Sequence, residues 1–477
     1  MAGSMENRGR VHFSGIGGTA MVAGARLALE AGWEVRGSDN PLYPPTSLMV
    51  EALGVPVYTG YSPANLDWGP DCVVIGNVLS RGNPEVEAVL ERRLRYVSLP
   101  EWLKEHVLRL CRPVAICGTH GKTTTTALAA FMLERAGLAP GFLIGGQPLD
   151  FDHSARLGGE GAPFIIEGDE YDTAFFDKRA KFFHYVPEIA VVTSVEFDHG
   201  DIYRDLAEIE LAFQRMLRQI PKSGWLITCA DNAGSSALAA HSFSNTATYG
   251  FDPRADWRGE ILGDGDQTVL RVYRHGTRWA DLRIPLAGRH NFQNAIGAAA
   301  VAGTLGAAPE RLEQAAPDFK GVRRRMEVFL EAGGVTFIDD FAHHPTAIRE
   351  TIDAARMRWP GRRLWALFEP RSNTVVTRRF QGELAQGLAR ADEVWLGPIY
   401  RAETIAEPER LDRAALADSI RAVGRAANVA EAVEEIVVDV SRRARPGDVV
   451  LIMSNGAFGG IYDRFRTLYG AAASGAA

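Results

Sequence analysis

The chain has 477 residues, 46% of them hydrophobic and 23% charged, with a formal net charge of -7. Such a length calls for about two to four cores. The acidic balance argues against general attraction to nucleic acid or an anionic membrane. No apolar run is long enough to span a bilayer, and the N-terminus lacks the basic, apolar, small-residue order of a signal peptide. Cys72, Cys111, Cys117 and Cys229 have neither C-x-x-C spacing nor a histidine cluster beside them, so neither a zinc site nor a disulfide framework is expected. Four reduced thiols fit a cytoplasmic protein.

Strand and helix signals alternate along three stretches, giving an expected α/β architecture of three domains, 1–110, 111–325 and 326–477. In the first, an apolar strand Val11 to Ser14 turns through Gly15, Ile16, Gly17 and Gly18 into a helix from Thr19 to about Ala31. A second strand from Trp33 ends at Ser38-Asp39. The second stretch opens with a strand Pro113 to Cys117, and further strands are expected at Pro163 to Ile166, Ile189 to Thr193 and Gly224 to Thr228. Between Gly250 and Leu286 charges alternate with Val, Leu and Trp around a Gly263-Asp264-Gly265 turn, which predicts an antiparallel excursion at the sheet edge. The third stretch opens with Glu327 to Phe329, a Gly333-Gly334 turn and a strand Val335 to Ile338. The tail from Gly470 reads as unstructured small-residue filler.

The strongest chemical signal is Gly118-Thr119-His120-Gly121-Lys122-Thr123-Thr124-Thr125, placed between an apolar strand and a helix. Glycines let backbone N–H groups wrap a phosphate, the helix N-terminus adds partial positive charge, Lys122 neutralises phosphate oxygens, and Thr123 offers a hydroxyl to Mg²⁺. The usual eight-residue form of this loop has Gly where this chain has Ile116. Two acidic segments, Glu167 to Asp172 and Glu196-Phe197-Asp198-His199, each follow an apolar strand and should emerge at the same carboxyl edge as the loop. Their carboxylates suit Mg²⁺, and His199 either ligates a second cation or orients reacting groups. The N-terminal G-x-G-G turn with Asp39 is half of a dinucleotide fingerprint, equally fitted to any nucleoside diphosphate with a free ribose. Asn291 and Asn294 either read an adenine edge or cap a helix. Arg323-Arg324-Arg325 is a phosphate contact or a solvated run, and Asp339-Asp340-Phe341-Ala342-His343-His344-Pro345 is an unusual concentration of ionisable groups after a strand.

In this order the motifs resemble the Mur ligase superfamily over nearly the whole chain; the shortened loop with Ile116 is that superfamily's own form. Within it, the segments Gly37 to Asp39 with Tyr43 to Ser47, Gly76-Asn77 with Arg81 to Pro84, Glu170 to Asp172 leading into Phe175 to Arg179, Phe368 to Thr374, and Met453 to Gly460 look most like the murein peptide ligases. The resemblance implies a Rossmann-like N-terminal domain, a central ATPase-type parallel sheet and a Rossmann-like C-terminal domain closing on the site. It implies ATP and two Mg²⁺ ions, with UDP-N-acetylmuramic acid and the tripeptide L-Ala-γ-D-Glu-meso-diaminopimelate as partners. It assigns Lys122, Glu167, His199 and Arg325 to catalysis, Thr123, Glu167 and His199 to metal, and the loop with Asn291, Asn294, Arg325 and Asp340 to ATP. Gly15, Ile16, Gly17, Gly18, Thr19, Asp39, Asn77 and Arg81 fall to UDP-muramic acid, and Tyr171, His343, Ser454 and Asn455 to the peptide.

Two departures narrow the subgroup. A lysine that many Mur ligases carbamoylate would fall near Gln214, where none occurs, and the Asp-Asn-Pro-Arg signature of diaminopimelate-adding ligases is missing. Free L-alanine as acceptor is the nearest alternative. A dehydrogenase, resting on Gly15 to Asp39 alone, and a nucleotide-sensing regulator are more distant ones.

Overall fold

The computed structural model describes residues 8–43, 46–198, 200, 202–263 and 268–474, the side chains of 471–474 excepted. His199, Pro44-Pro45 and the Asp264-Gly265 part of the expected turn lie outside the described residues.

The opening apolar run becomes a strand covered on both faces, with residues 11–14 all buried, as a parallel sheet requires. It is β1 (Arg10–Ser14), joined by β2 (Glu34–Asp39), β3 (Val57–Thr59), β4 (Cys72–Ile75) and β5 (Tyr96–Ser98). The order is 3-2-1-4-5, parallel throughout. Strand order reverses at β1, so the Gly15 turn sits at the crevice where doubly wound sheets bind ligands. Beneath it Glu85 is fully buried and accepts from Ser14 Oγ and Ser38 Oγ at 2.6 Å each, from Asn65 Nδ2 at 2.9 Å and from His12 Nε2 at 2.7 Å. Burial alone would raise this carboxyl's pKa; the His12 and serine bonds bring it below its ordinary value. The network ties the carboxyl ends of β1 and β2 together.

The central sheet contains β6 (Arg112–Cys117), β7 (Gly141–Leu143), β8 (Ala155–Arg156) and β9 (Pro163–Gly168). After a separate hairpin of β10 (Asp172–Ala174) and β11 (Asp177–Ala180), the sheet continues with β12 (Ile189–Val192), β13 (Trp225–Cys229) and β14 (Asn245–Gly250). The strands β15 (Trp257–Leu262), β16 (Val269–Arg274) and β17 (Thr277–Leu282) complete it. Its order is 17-16-15-14-13-12-6-9-7-8. The expected edge excursion is the antiparallel run β15-β16-β17. The helices Lys122–Arg135 and Arg289–Thr304 pack on this sheet. Gly303 of the second leaves room for Trp257, whose ring would lie 2.2 Å from an added Cβ.

The third sheet is β18 (Glu327–Ala332), β19 (Val335–Asp340), β20 (Leu364–Phe368), β21 (Glu393–Leu396), β22 (Ala426–Val429) and β23 (Val449–Met453). Its order is 18-19-23-20-21-22, parallel except for the β18–β19 hairpin. That hairpin turns on Gly333 and Gly334, both at positive φ. As far as Ser474 the tail departs from the sequence reading, and residues 475–477 lie outside the described residues. A helix spans Ile461–Ser474, held by Phe465 and Tyr469, whose rings each lie 4.9 Å from that of Phe337. Among the described residues no helix is long and apolar enough to cross a membrane.

Candidate active site at the phosphate loop

β6 runs up the middle of the central sheet with β12 on one side and β9 on the other. The phosphate loop after β6 is therefore flanked by both acidic segments. Gly118 and Gly121 hold φ of 128° and 79°. A Cβ on Gly118 would lie 2.2 Å from Thr193 Oγ1, and one on Gly121 2.4 Å from Asn294 Oδ1. The loop is thus closed from below by β12 and from the side by the Arg289–Thr304 helix. Thr119 N donates to Ser194 O at 2.9 Å and His120 N to Ser194 Oγ at 2.9 Å. Thr124, in the first turn of the Lys122–Arg135 helix, is buried. Replacing Gly121 with Ala combines left-handed backbone strain, about 1–2 kcal/mol, with the Asn294 clash. Nucleotide affinity measured by calorimetry should fall about tenfold or more.

Lys122 is 11% exposed and its Nζ lies 2.6 Å from Glu170 Oε2, itself 3% exposed. Burial works against the charged ammonium, but the Glu170, Asp169 and Glu167 carboxylates outweigh it and raise the pKa, so Lys122 stays protonated. Thr123 Oγ1 donates to Glu167 Oε1 at 3.1 Å, and Gly145 N donates to Glu167 Oε2 at 2.9 Å. Burial raises the Glu167 carboxyl, opposed by Lys122 and Arg325.

Arg325 crosses from the C-terminal side: its Nη2 donates to Thr123 Oγ1 at 3.3 Å, and its guanidinium lies 5.0 Å from the Phe341 ring centroid. Its neighbours Arg324 and Met326 both hold positive φ, 60° and 52°, strain of a kind concentrated at functional sites. Asp340 secures this bend. It is buried, Oδ2 accepts from Met326 N and Oδ1 from Ala342 N, each at 2.8 Å, and Thr351 Oγ1 donates to Oδ1 at 3.3 Å. The three arginines differ in their partners. Arg323 pairs with Glu327 at the surface, whereas Arg324 Nη2 donates to Ser454 O at 2.7 Å and Gly456 O at 2.8 Å.

Of the paired asparagines, Asn294 packs on the loop, while Asn291 Nδ2 donates to Ala287 O at 2.7 Å, bracing its own helix start. In the N-terminal crevice Asp39 Oδ2 accepts from Gly17 N at 2.7 Å and Oδ1 accepts from Tyr61 at 3.0 Å. The Ile16 side chain is buried, and Thr19 begins the helix after Gly18. Asn77 Nδ2 reaches Asp172 Oδ1 at 3.0 Å, linking this domain to the central one, and Arg81 forms an exposed pair with Glu87. Near the C-terminal sheet, Ser454 Oγ donates to Glu369 and accepts from Gly456 N, and Asn455 Oδ1 is buried with no hydrogen-bond partner among the described residues. His343 Nδ1 lies 3.0 Å from Phe341 O, and Lys181 Nζ lies 5.5 Å from the Tyr171 ring centroid.

Sequence reasoning missed the partnership of Glu196 with His120 and His344. His120 Nε2 lies 3.2 Å and His344 Nδ1 3.9 Å from Glu196 Oε2, and Thr346 Oγ1 donates to the same oxygen at 2.8 Å. These contacts hold the Glu196 carboxyl at about 2 against the upward push of burial. A buried His344 is driven down to about 4, chiefly by desolvation. Its pKa in the unfolded chain is about 6.5, so the stability it contributes is complete above that pH and is lost as pH falls from there toward 4. At pH 5 the loss is about 2 kcal/mol. Thermal melts at pH 7 and 5 should show a drop that is smaller in His344→Asn.

A glycine phosphate loop between two acidic strand ends, with Arg325 reaching it from the bend that leads into β18, is the arrangement found in this three-domain α/β enzyme and is suited to holding phosphate. Residues 10–109 match the model of the Mur ligase family catalytic domain, 116–302 that of the Mur ligase middle domain, and 324–456 that of the Mur ligase glutamate ligase domain. The chain is 41% identical over 458 residues to the UDP-N-acetylmuramate–L-alanyl-γ-D-glutamyl-meso-2,6-diaminoheptandioate ligase of Escherichia coli, covering 95% of this chain and 97% of that one. It is 36% identical over 471 residues to a UDP-N-acetylmuramate–L-alanine ligase of Xanthomonas campestris, covering 96% and 95%. A crystal structure of a murein peptide ligase from Psychrobacter arcticus superposes with TM-score 0.72 at 36% identity, covering 97% of this chain and 99% of that one. The chain belongs to the Mur ligase family and is a ligase.

Proposed function

We propose that this ligase joins UDP-N-acetylmuramate to L-Ala-γ-D-Glu-meso-diaminopimelate, with ATP activating the muramoyl carboxylate as an acyl phosphate, in cytoplasmic recycling of cell-wall peptide. The observation that carries the acceptor is the 41% identity, over almost all of both chains, to a ligase named for that reaction. In this reading residues 1–110 hold the UDP-sugar at the Gly15–Asp39 crevice, 111–325 hold ATP, and 326–477 bring the peptide. Lys122 and the loop amides fix the phosphates, and Arg325 approaches the transferred phosphoryl group from the opposite side to steady the charge on its equatorial oxygens. The carboxylate attacks the γ-phosphorus and ADP leaves. The peptide amine then attacks the acyl carbon and phosphate leaves. The oxygens of Thr123 and Glu167 fit Mg²⁺, a hard cation that prefers such donors. When bound it would neutralise phosphate charge. Asn455 Oδ1 offers the incoming peptide a buried acceptor.

L-Alanine as acceptor is the second reading, favoured by the 36% identity to alanine ligases over nearly the same span. Phosphate release from Mg·ATP and UDP-N-acetylmuramic acid, with tripeptide and with alanine in parallel, tests both. Release with the tripeptide alone is expected, and release with alanine alone would sink the proposal.

A further inference from the structure

His120, Glu196 and His344 come from three segments that meet beside the phosphate loop, and the ligation chemistry above uses none of the three side chains. His120 belongs to the loop itself, Glu196 to the segment after β12, and His344 is the N-cap of the helix Pro345–Arg358 in the C-terminal domain. One ligand atom from each lies within 4.8 Å of the others, and the two imidazole centroids are 4.6 Å apart.

The hydrogen bonds around His344 fix its tautomer. Its Nε2 lies 3.3 Å from Phe197 O, a group that only accepts, so the proton sits on Nε2. Nδ1 therefore carries the lone pair, which accepts from the Thr346 amide at 3.3 Å as the N-cap of its helix, with Glu196 Oε2 3.9 Å away. A histidine that donates one ring nitrogen to a backbone carbonyl holds the other in the tautomer that ligates a metal, and a cation here takes that lone pair over from the Thr346 amide. The Thr346 hydroxyl orients the carboxylate in the same way. His120 Nε2 is 3.2 Å from that oxygen and gives up its proton when a cation takes the place between them.

Tetrahedral bonds of about 2.0–2.1 Å to nitrogen and oxygen set ligand atoms about 3.3 Å apart. The separations of 3.2 and 3.9 Å bracket that value, and the two histidine nitrogens, no more than 4.8 Å apart, must close by up to about 1.5 Å to reach it. Two imidazoles and one carboxylate are a poor match for Mg²⁺, which keeps oxygen ligands, and a good one for borderline first-row ions. The set is therefore distinct in chemistry from the Thr123–Glu167 pair. We propose that His120, Glu196 and His344 bind one divalent transition-metal ion of the Zn²⁺ class, which fastens the C-terminal domain to the phosphate loop.

The test reads binding directly and does not depend on the ligase assignment. The full chain, in millimolar Mg²⁺, is titrated with Co²⁺ and then with Zn²⁺. One Co²⁺ per chain with visible d–d absorption, displaced by Zn²⁺, is expected. His344→Ala and Glu196→Gln should each weaken it by at least about tenfold, and Thr123→Val, at the phosphate-side oxygens, should leave it intact. No absorption band in the wild type overturns the proposal, as does a band undiminished in the first two variants or lost in Thr123→Val alone. Should the variants fail to fold, X-ray absorption on the Zn²⁺-loaded wild type decides instead. Two imidazoles on the metal support the site, and one or none refutes it.

Discussion

Lys122→Ala should abolish ligation, lowering turnover by at least about a thousandfold, the scale on which a preorganised charge at a phosphoryl group acts. The same change should also destabilise the fold, because the buried Glu170 loses its ion pair with Lys122. Breaking a buried pair in this way costs about 3–5 kcal/mol. The two effects separate in a double variant. Lys122→Ala with Glu170→Gln removes both charges, so urea melts should recover much of the lost stability while phosphate release stays absent. A Lys122→Ala enzyme with near-normal turnover would remove the phosphate loop from the mechanism. Recovery of activity in the double variant would show that the defect had been one of folding.

The features that read correctly from the chain share one property: their signal is local. The strand, glycine turn and helix around Lys122 occupy one contiguous segment, and the alternating run of β15 to β17 declares its antiparallel edge by periodicity. What stayed hidden depends on loops distant in sequence that meet only in the fold. Nothing near His344 announces Glu196, since their approach depends on how the C-terminal domain sits over β12. Asn291 shows the opposite difficulty. Its amide serves a carbonyl one turn away, and either use was open to it. The tail misled through composition: alanines and glycines after Tyr469 suggested filler, but the spacing of Ile461, Phe465 and Tyr469 puts one apolar stripe against Phe337, which carries the helix onward. The Glu85 network was illegible because its four partners come from strands and loops of different sequence origin, each unremarkable in isolation.

The arginine run offers a sharp discrimination, since three adjacent residues of one type should give three different results. Arg325→Ala should lower kcat by about a hundredfold to a thousandfold, because it removes a cation that reaches the phosphate loop from the bend before β18. KM for UDP-N-acetylmuramate should stay nearly constant, as the Gly15 crevice lies in another domain. Arg325→Lys should recover only part of the loss: an ammonium keeps the charge but cannot spread it over a planar fork aimed at two oxygens. Arg324→Ala should act on stability instead, since its guanidinium holds the Ser454 and Gly456 carbonyls and pairs with Asp339. Arg323→Ala should be close to silent, its exposed pair with Glu327 contributing about 0–1 kcal/mol. Steady-state kinetics with thermal melts on the set separates these outcomes. Equal kinetic defects at 323 and 325 would mean that the run acts as a diffuse charge, and that the strained bend at Arg324 and Met326 serves some purpose other than aiming one side chain at Thr123.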